Sequence, residues 1–282
     1  MNLAMTSLMQ KQIVVAAGAG AGAAAMVMWA RRSRREKRLA ERLAAAALES
    51  LLNTVDANDA ETGAHVRRVA AFSCVLSQAA DLTYGEQKSV ERVALFHDIG
   101  KIHAALFDIV HEHAKLSPEE SRLVATHPVR GADVLRPLAA FYPDLAEGVL
   151  SHHEHWDGSG YPRGLRGARI PLSARIVAIA DTFDVITFGR PYRSPRTFAQ
   201  AAEQIALGAG TQFDPVLTDL FLSPPIFKEI RQAVRAHQAL KPERGCRRKK
   251  SAPPDVPDIT FRWRSESLAQ TPQGQSPRIP RE

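Results

Sequence analysis

VALFHDIGKI, residues 93–102, is the stretch on which the reading of this chain turns. An apolar run, Val93 to Phe96, closes a helical pattern, and the pair His97-Asp98 follows at once, with Gly100 and Lys101 behind it. Divalent cations take imidazole nitrogens and carboxylate oxygens gathered within a small sphere. Neighbouring positions on a helix diverge by about 100°, so His97 and Asp98 share an ion only if it sits near the helix end. Lys101 lies on the same side as both. An ammonium there opposes metal binding unless an anion is also present, which points Lys101 at a phosphate. The plain alternative is an exposed lysine near a helix end.

Outward from this stretch the pattern stays helical. Amphipathic runs place helices near 61–80, 86–100, 118–126, 129–139, 143–152, 170–187, 196–207 and 224–238, and no alternating strand pattern appears. The fold class is all-α. The exception to helix is DGSGYPRGLRGA at 157–168, a glycine-rich loop.

Further donors are spread along these helices. Glu61 and His65 in ETGAH are four apart, hence on one helix face; alone, such a pair is an ordinary surface contact. His127 opens HPVRG, at the end of one helix and just before Pro128. His152-His153 close another helix and suit either two ions, one per imidazole, or one ion with a flanking partner. Asp181 stands in RIVAIADTFD, an apolar helix where an unpaired carboxylate is costly, and Asp184, three residues on, is placed to support it. Arg190 and Arg193 in GRPYR fit a phosphorylated ligand held bidentately, or else neutralise Asp181 and Asp184. Asp157, before Gly158, reads as a turn residue rather than a ligand.

Composition sets the frame. The 282 residues allow one globular domain with extensions. Cys74 and Cys246 form no metal-type pair and imply no disulfide framework. The net charge of +7 is not spread over the domain: residues 31–38 carry +5, residues 241–282 carry +5, and the remainder is −3. Basic flanks of this kind are solvated segments, which argues against a nucleic-acid surface. Ile13 to Ala30 is uncharged and apolar, about the shortest run that spans a bilayer, and the Arg/Lys block from Arg31 to Arg38 follows it. The expectation is one N-terminal anchor over residues 1–35, with the remainder on the cytoplasmic side. A cleaved signal peptide, the competing reading, wants its basic residues before the apolar run. Glu36 to Leu52 reads as a helix leading into a domain over 36–240, and the Pro/Arg/Ser/Gln-rich residues 241–282 as a disordered tail.

The series ETGAH, HDIGKI, HPVRG, HHEHWDGSGYPRGL, RIVAIADTFD, RPYR and FDPVL, in this order from about residue 50 to 222, resembles the HD-GYP family, a branch of the HD phosphohydrolases. The resemblance implies an all-α HD-type bundle that hydrolyses cyclic di-GMP at two or three divalent metal ions, often iron or manganese. It implies Glu61, His65, His97, Asp98, His127, His152, His153 and Asp181 as metal ligands. Lys101 matches the lysine at the scissile phosphate, and Tyr161, Arg190 and Arg193 match substrate contacts. The glutamate at 61 implies room for a third ion. Asp157, Gly158, Gly160 and Pro162 belong to the GYP loop, which implies a docking surface for a cyclic di-GMP synthase. The chain departs from the family at Glu112-His113, His155 and Phe188-Gly189, which bear on substrate affinity and loop position and remove no ligand. The expected activity is cleavage of cyclic di-GMP to the linear dinucleotide or GMP at the inner membrane, Asp98 and Lys101 being essential, in a chain able to dimerise. The competing readings are an HD hydrolase of another nucleotide and a cyclic di-GMP binding protein without catalysis.

Overall fold

A computed structural model describes residues 2–102, 117–189 and 194–239; within its helices the side chains of residues 2–25, 27, 58 and 235–239 lie outside the description. The chain divides into two units, Met1–Asp59 and Ala60–Glu282.

The first unit is one helix, α1, Asn2–Asn58. The expected anchor and the expected leading helix are thus continuous. No helix among the described residues is long and apolar enough to cross a membrane. Most of the apolar run at 13–30 falls where side chains are not described, and the tail at 241–282 lies outside the described residues altogether.

Among its described residues the second unit is built of helices and connecting loops, as the periodicity requires. Its helices are α2 (Ala60–Ala79), α3 (Tyr84–Phe96), α4 (Pro118–Val124), α5 (His127–Leu135), α6 (Leu145–Ser151), α7 (Leu172–Phe188), α8 (Phe198–Leu207), α9 (Pro215–Leu222) and α10 (Pro224–Ala239). Short 3-10 turns at Ile99–Ile102, Arg136–Leu138 and Gly167–Arg169 join them, and the β-type pairing among the described residues is one isolated bridge, Ala209 to Phe213. The starts are written locally. Thr83 with Glu86, Ser117 with Glu120, and Thr197 with Gln200 form reciprocal capping boxes that satisfy amide groups the helix leaves open.

α7 is the axis of the unit, packed by α2, α3, α6 and α8. Its residues Ile176, Ile179, Ala180 and Phe183 are fully buried, and Phe183 meets Phe72, Phe221 and Phe227 edge to face at 5.2–5.9 Å. A helix enclosed on several sides explains why the sequence there is apolar nearly all round. The sequence reading missed α9, whose start in FDPVL has a clear cause. Phe213 is core, Pro215 takes a first-turn position, and Asp214 caps the amides of Val216 and Leu217 while pairing with Arg175 of α7 at 2.7 Å.

Two expected boundaries are corrected. The helix expected over 86–100 ends at Phe96 and passes into the 3-10 turn that carries Lys101. His127 does not end a helix; it is the first residue of α5, with Pro128 in the first turn, where a missing N–H costs nothing.

Candidate metal centre

Three helix termini and two helix bodies deliver donors to one buried place. α2 brings His65, the end of α3 brings His97 and Asp98, the start of α5 brings His127, the end of α6 brings His152 and His153, and α7 brings Asp181. Gly100 makes the approach of two of these segments possible. A Cβ there would stand 2.1 Å from the carbonyl oxygen of His127 and 2.7 Å from the amide of Gly131.

The imidazoles are aimed before any ion arrives. Nδ1 of His97 donates to the carbonyl of Ala94 at 2.8 Å, Nδ1 of His127 to that of Val124 at 2.8 Å, and Nδ1 of His152 to that of Val149 at 2.6 Å. A carbonyl only accepts, so each Nδ1 carries the proton and each neutral ring turns an Nε2 lone pair inward. Burial holds all of these rings neutral. It pushes His127 down to about 3, with the Lys101 ammonium adding to the effect, and His153 down to about 4. His97 and His152 are lowered by burial in the same way.

His65 is aimed by a different device. Its Nδ1 bonds to Asp184 Oδ2 at 2.6 Å, and the same carboxylate receives Arg68 Nε at 2.7 Å and a second guanidinium nitrogen at 2.9 Å. Burial raises the Asp184 pKa, but the bonds to His65 and Arg68 outweigh it and keep the carboxylate charged. The expectation that Asp184 supports Asp181 is corrected: it orients His65 and is neutralised by Arg68.

These donors form two groups. His65, His97 and Asp98 make one and His127, His152 and His153 the other, and within each group the ligating atoms lie within 4.8 Å of one another. Asp98 stands between them. Its Oδ1 is 3.3 Å from His127 Nε2, and its Oδ2 is 3.5 Å from His97 Nε2 and 3.9 Å from His65 Nε2. Asp181 Oδ1 joins the first group, 3.2 Å from His65 Nε2 and 3.9 Å from His97 Nε2. Burial raises the pKa of both acids, yet both are lowered overall, Asp98 chiefly by Lys101 and Asp181 chiefly by His65.

The arrangement demands cations. His127 Nε2 and His152 Nε2 are 3.1 Å apart, although each Nδ1 already holds its ring's proton. His97 Nε2 and Asp181 Oδ1 are buried without a hydrogen-bond partner. Lone pairs facing one another at these distances are stable only around a shared positive charge. Protonation is disfavoured in the three-histidine group, so neutral nitrogen and anionic oxygen donors converge as a divalent ion requires. The residues present fit two such ions, with Asp98 offering one oxygen to each.

The remaining sequence-based candidates fall into place differently. Glu61 is in the first turn of α2, one turn before His65, but is exposed and joins neither group. Lys101 Nζ is 2.7 Å and 2.8 Å from the two oxygens of Asp98 and keeps 23% side-chain exposure, so it borders the centre. The Tyr161 ring stacks on His153 with centroids 4.9 Å apart, and burial pushes its hydroxyl pKa up. Asp157 is a turn residue, accepting the Ser159 amide at 2.8 Å. Gly160 is required where it stands, since a Cβ would lie 2.2 Å from the amide nitrogen of His155 and 2.5 Å from the carbonyl of His153. Gly158 has φ of 85° and Pro162 follows a cis peptide. Arg190 and Arg193, and the departure Glu112-His113, lie outside the described residues. Of the other departures, Phe188 lies beneath the Arg68 guanidinium at 3.9 Å, and His155 Nδ1 is 3.1 Å from the Ser159 hydroxyl.

Two positioning residues escaped the sequence reading. Arg68, three residues after His65, shares its helix face, which was the available signal. Glu154, 3% exposed, accepts the amides of Arg163 at 2.8 Å and Leu165 at 2.9 Å and so holds the GYP loop against the histidine pair. Its place between His153 and the loop was visible, but its amide partners nine and eleven residues on were not.

The sequence profile of the HD domain family matches residues 32–217. A protein of Vibrio cholerae named 3'3'-cGAMP-specific phosphodiesterase 2 is 37% identical over 61% of this chain and 33% of its own length. A probable cyclic di-GMP phosphodiesterase of the same organism is 34% identical over 64% of this chain and 44% of its own. The cyclic di-GMP phosphodiesterase of Thermotoga maritima is 35% identical over 67% and 50%. The chain thus matches between a third and a half of these relatives. With that profile spanning most of the chain, and with HD and GYP segments meeting at one buried histidine-carboxylate centre, the chain belongs to the HD domain family in its HD-GYP form.

Proposed function

We propose that this chain is a metal-dependent phosphodiesterase that opens cyclic di-GMP to the linear dinucleotide or to GMP. The observation that carries the reading is Asp98, one oxygen toward each of two histidine-rich groups. The names of the relatives supply the substrate class. His65, His97, Asp98 and Asp181 would hold one ion, and His127, His152, His153 and Asp98 the other. Bound divalent ions supply Lewis acidity and lower the pKa of water toward neutrality. Lys101 steadies the ionised Asp98 and, from the rim, counters charge on a phosphoryl oxygen or the departing 3′ oxygen. Tyr161 closes the His153 side against solvent.

Iron or manganese is the proposed metal, and Glu61, one turn from His65, is the proposed route to a third ion. Arg190 and Arg193 are proposed as phosphate contacts, and the GYP loop as the face for a synthase. We further propose that α1 anchors the chain in the inner membrane with the catalytic unit on the cytoplasmic side, and that α1 supports a homodimer. The apolar run at 13–30 and the basic block at 31–38 support the anchor.

The decisive experiment is metal analysis of the full chain with a cyclic di-GMP turnover assay, repeated for Asp98→Ala. Two ions per chain, or three where Glu61 brings another, and turnover are expected in the parent. The variant should lose both a metal equivalent and at least about 10²-fold in rate while retaining helical circular dichroism. Full activity in Asp98→Ala would sink the reading.

A further inference from the structure

A recess of about 280 Å³ opens beside the metal centre, lined by Asp181, Thr182, Val185, Ile186, Gln204 and Gln212. Asp181 belongs to both places, since the same residue stands 3.2 Å from His65 Nε2. A molecule whose phosphate sits at the ions therefore has this recess as its neighbour. The volume is near the small end of ligand pockets, which suits one ring system rather than a whole dinucleotide.

The lining also selects. Residues 181, 182, 185 and 186 lie on one side of α7 by helical spacing, so α7 contributes two aliphatic side chains next to a hydroxyl and an acid. Gln204 on α8 and Gln212 in the following turn supply the other wall. The Gln212 backbone is clamped, its carbonyl accepting the Trp156 amide at 3.2 Å while Thr211 O accepts the Asp157 amide at 2.9 Å. Both glutamines are exposed, and no hydrogen bond to either side-chain amide is found among the described residues. Among the described residues no cationic side chain lines the recess. A flat neutral heterocycle fits, with apolar faces for Val185 and Ile186 and a polar edge for the amides.

We propose that this recess is a purine-base subsite in which Gln204 and Gln212 read the edge of the base, Gln204 setting how strictly guanine is told from adenine. The proposal rests on the cyclic dinucleotide reading above. A primary amide offers both an acceptor and donors, and rotation exchanges their places. It can meet the N1–H and O6 of guanine or the N6–H and N1 of adenine. A carboxylate has acceptors only, so it would meet the N1–H and N2–H of guanine and repel the N1 lone pair of adenine.

The test uses the metal-loaded full chain. Steady-state kinetics are measured with cyclic di-GMP and cyclic GMP-AMP, and calorimetric binding with GMP, AMP and UMP. Gln204→Ala and Gln212→Ala should each raise KM about threefold to tenfold, the loss of a neutral hydrogen bond, with kcat within about twofold. GMP binding should weaken by the same factor in both variants, and UMP should bind more weakly than either purine. Gln204→Glu should move the ratio of GMP to AMP affinities about tenfold toward GMP. Turnover with KM unchanged in both alanine variants overturns the subsite and leaves the hydrolase reading standing. Absent turnover with glutamine-dependent GMP binding does the reverse, and neither turnover nor nucleotide binding ends both.

Discussion

Asp184 decides the orientation of His65 from 119 residues away, and it does so while neutralising Arg68. Partners of ligating histidines fix the tautomer and raise the basicity of the metal-facing nitrogen, and their loss typically costs about 10–100-fold in metal affinity. Asp184→Asn keeps the volume but removes the charge that Arg68 needs. We expect metal affinity to fall by that factor in calorimetric titration. A drop in stability of about 3–5 kcal/mol in urea should accompany it, the cost of a buried unpaired guanidinium. Unchanged affinity would mean that His65 is aimed by packing alone. The same residue marks what could be read in advance. His97-Asp98 and His152-His153 were legible as adjacent donor pairs, and Asp181 because an acid in an apolar helix needs a reason to be there, whereas His65 and His127 joined the set only through the family resemblance. The partner of each was not legible, because nothing in local spacing says that Asp184 turns to α2 rather than to Asp181. Glu61 shows the converse: helical spacing put it beside His65, and its side chain is exposed outside both groups.

At the scale of elements, the centre depends on how closely the 3-10 turn after α3 meets the start of α5. Gly100 is the contact, with the His127 carbonyl only 2.1 Å from where a Cβ would sit. In Gly100→Ala the two segments must part, and with them Asp98 and His127. We expect a loss of about 1–3 kcal/mol, the usual cost of overpacking, together with the metal equivalent held by the three-histidine group. Equal metal content by atomic absorption would refute the coupling. The GYP loop has its own fastening in Glu154, with Arg163 reaching back to the Ser151 hydroxyl at 2.8 Å and to Glu147. Glu154→Ala strips acceptors from two backbone amides. Trypsin should then cut at Arg163 or Arg166 several times faster than in the parent, as local opening becomes less costly. Helices were legible from their period, while the capping boxes at Thr83 and Thr197 came from the structure. Helix ends were less legible, because the turn at Ile99 and the start at His127 are set by one another across space, and α9 was missed because its cap, Asp214, is fixed by Arg175.

At the scale of the whole molecule, a centre that gathers neutral histidines and charged carboxylates makes the metal-free protein sensitive to acid. His127 and His153 are held down to about 3 and about 4, and His97 and His152 are lowered as well, against about 6.5 in an unfolded chain. Between about pH 6.5 and pH 4 the unfolded chain therefore binds protons that the folded chain refuses. The stabilisation is complete above pH 6.5 and is lost as pH falls toward the folded values, with a slope of up to about 1.4 kcal/mol per pH unit for each histidine. The carboxylates add a second, lower window. Asp98, Asp181 and Asp184 are lowered from 3.8, so their contribution is present above that value and is lost below it. Both windows act in one direction. Urea denaturation of chelator-treated protein should give a lower midpoint at pH 5 than at pH 7.5, and added divalent metal should restore part of the difference by binding the folded state alone. Replacing His127 and His153 by glutamine should flatten the profile between pH 5 and pH 7, while a profile as steep as the parent's would place the acid sensitivity elsewhere in the fold.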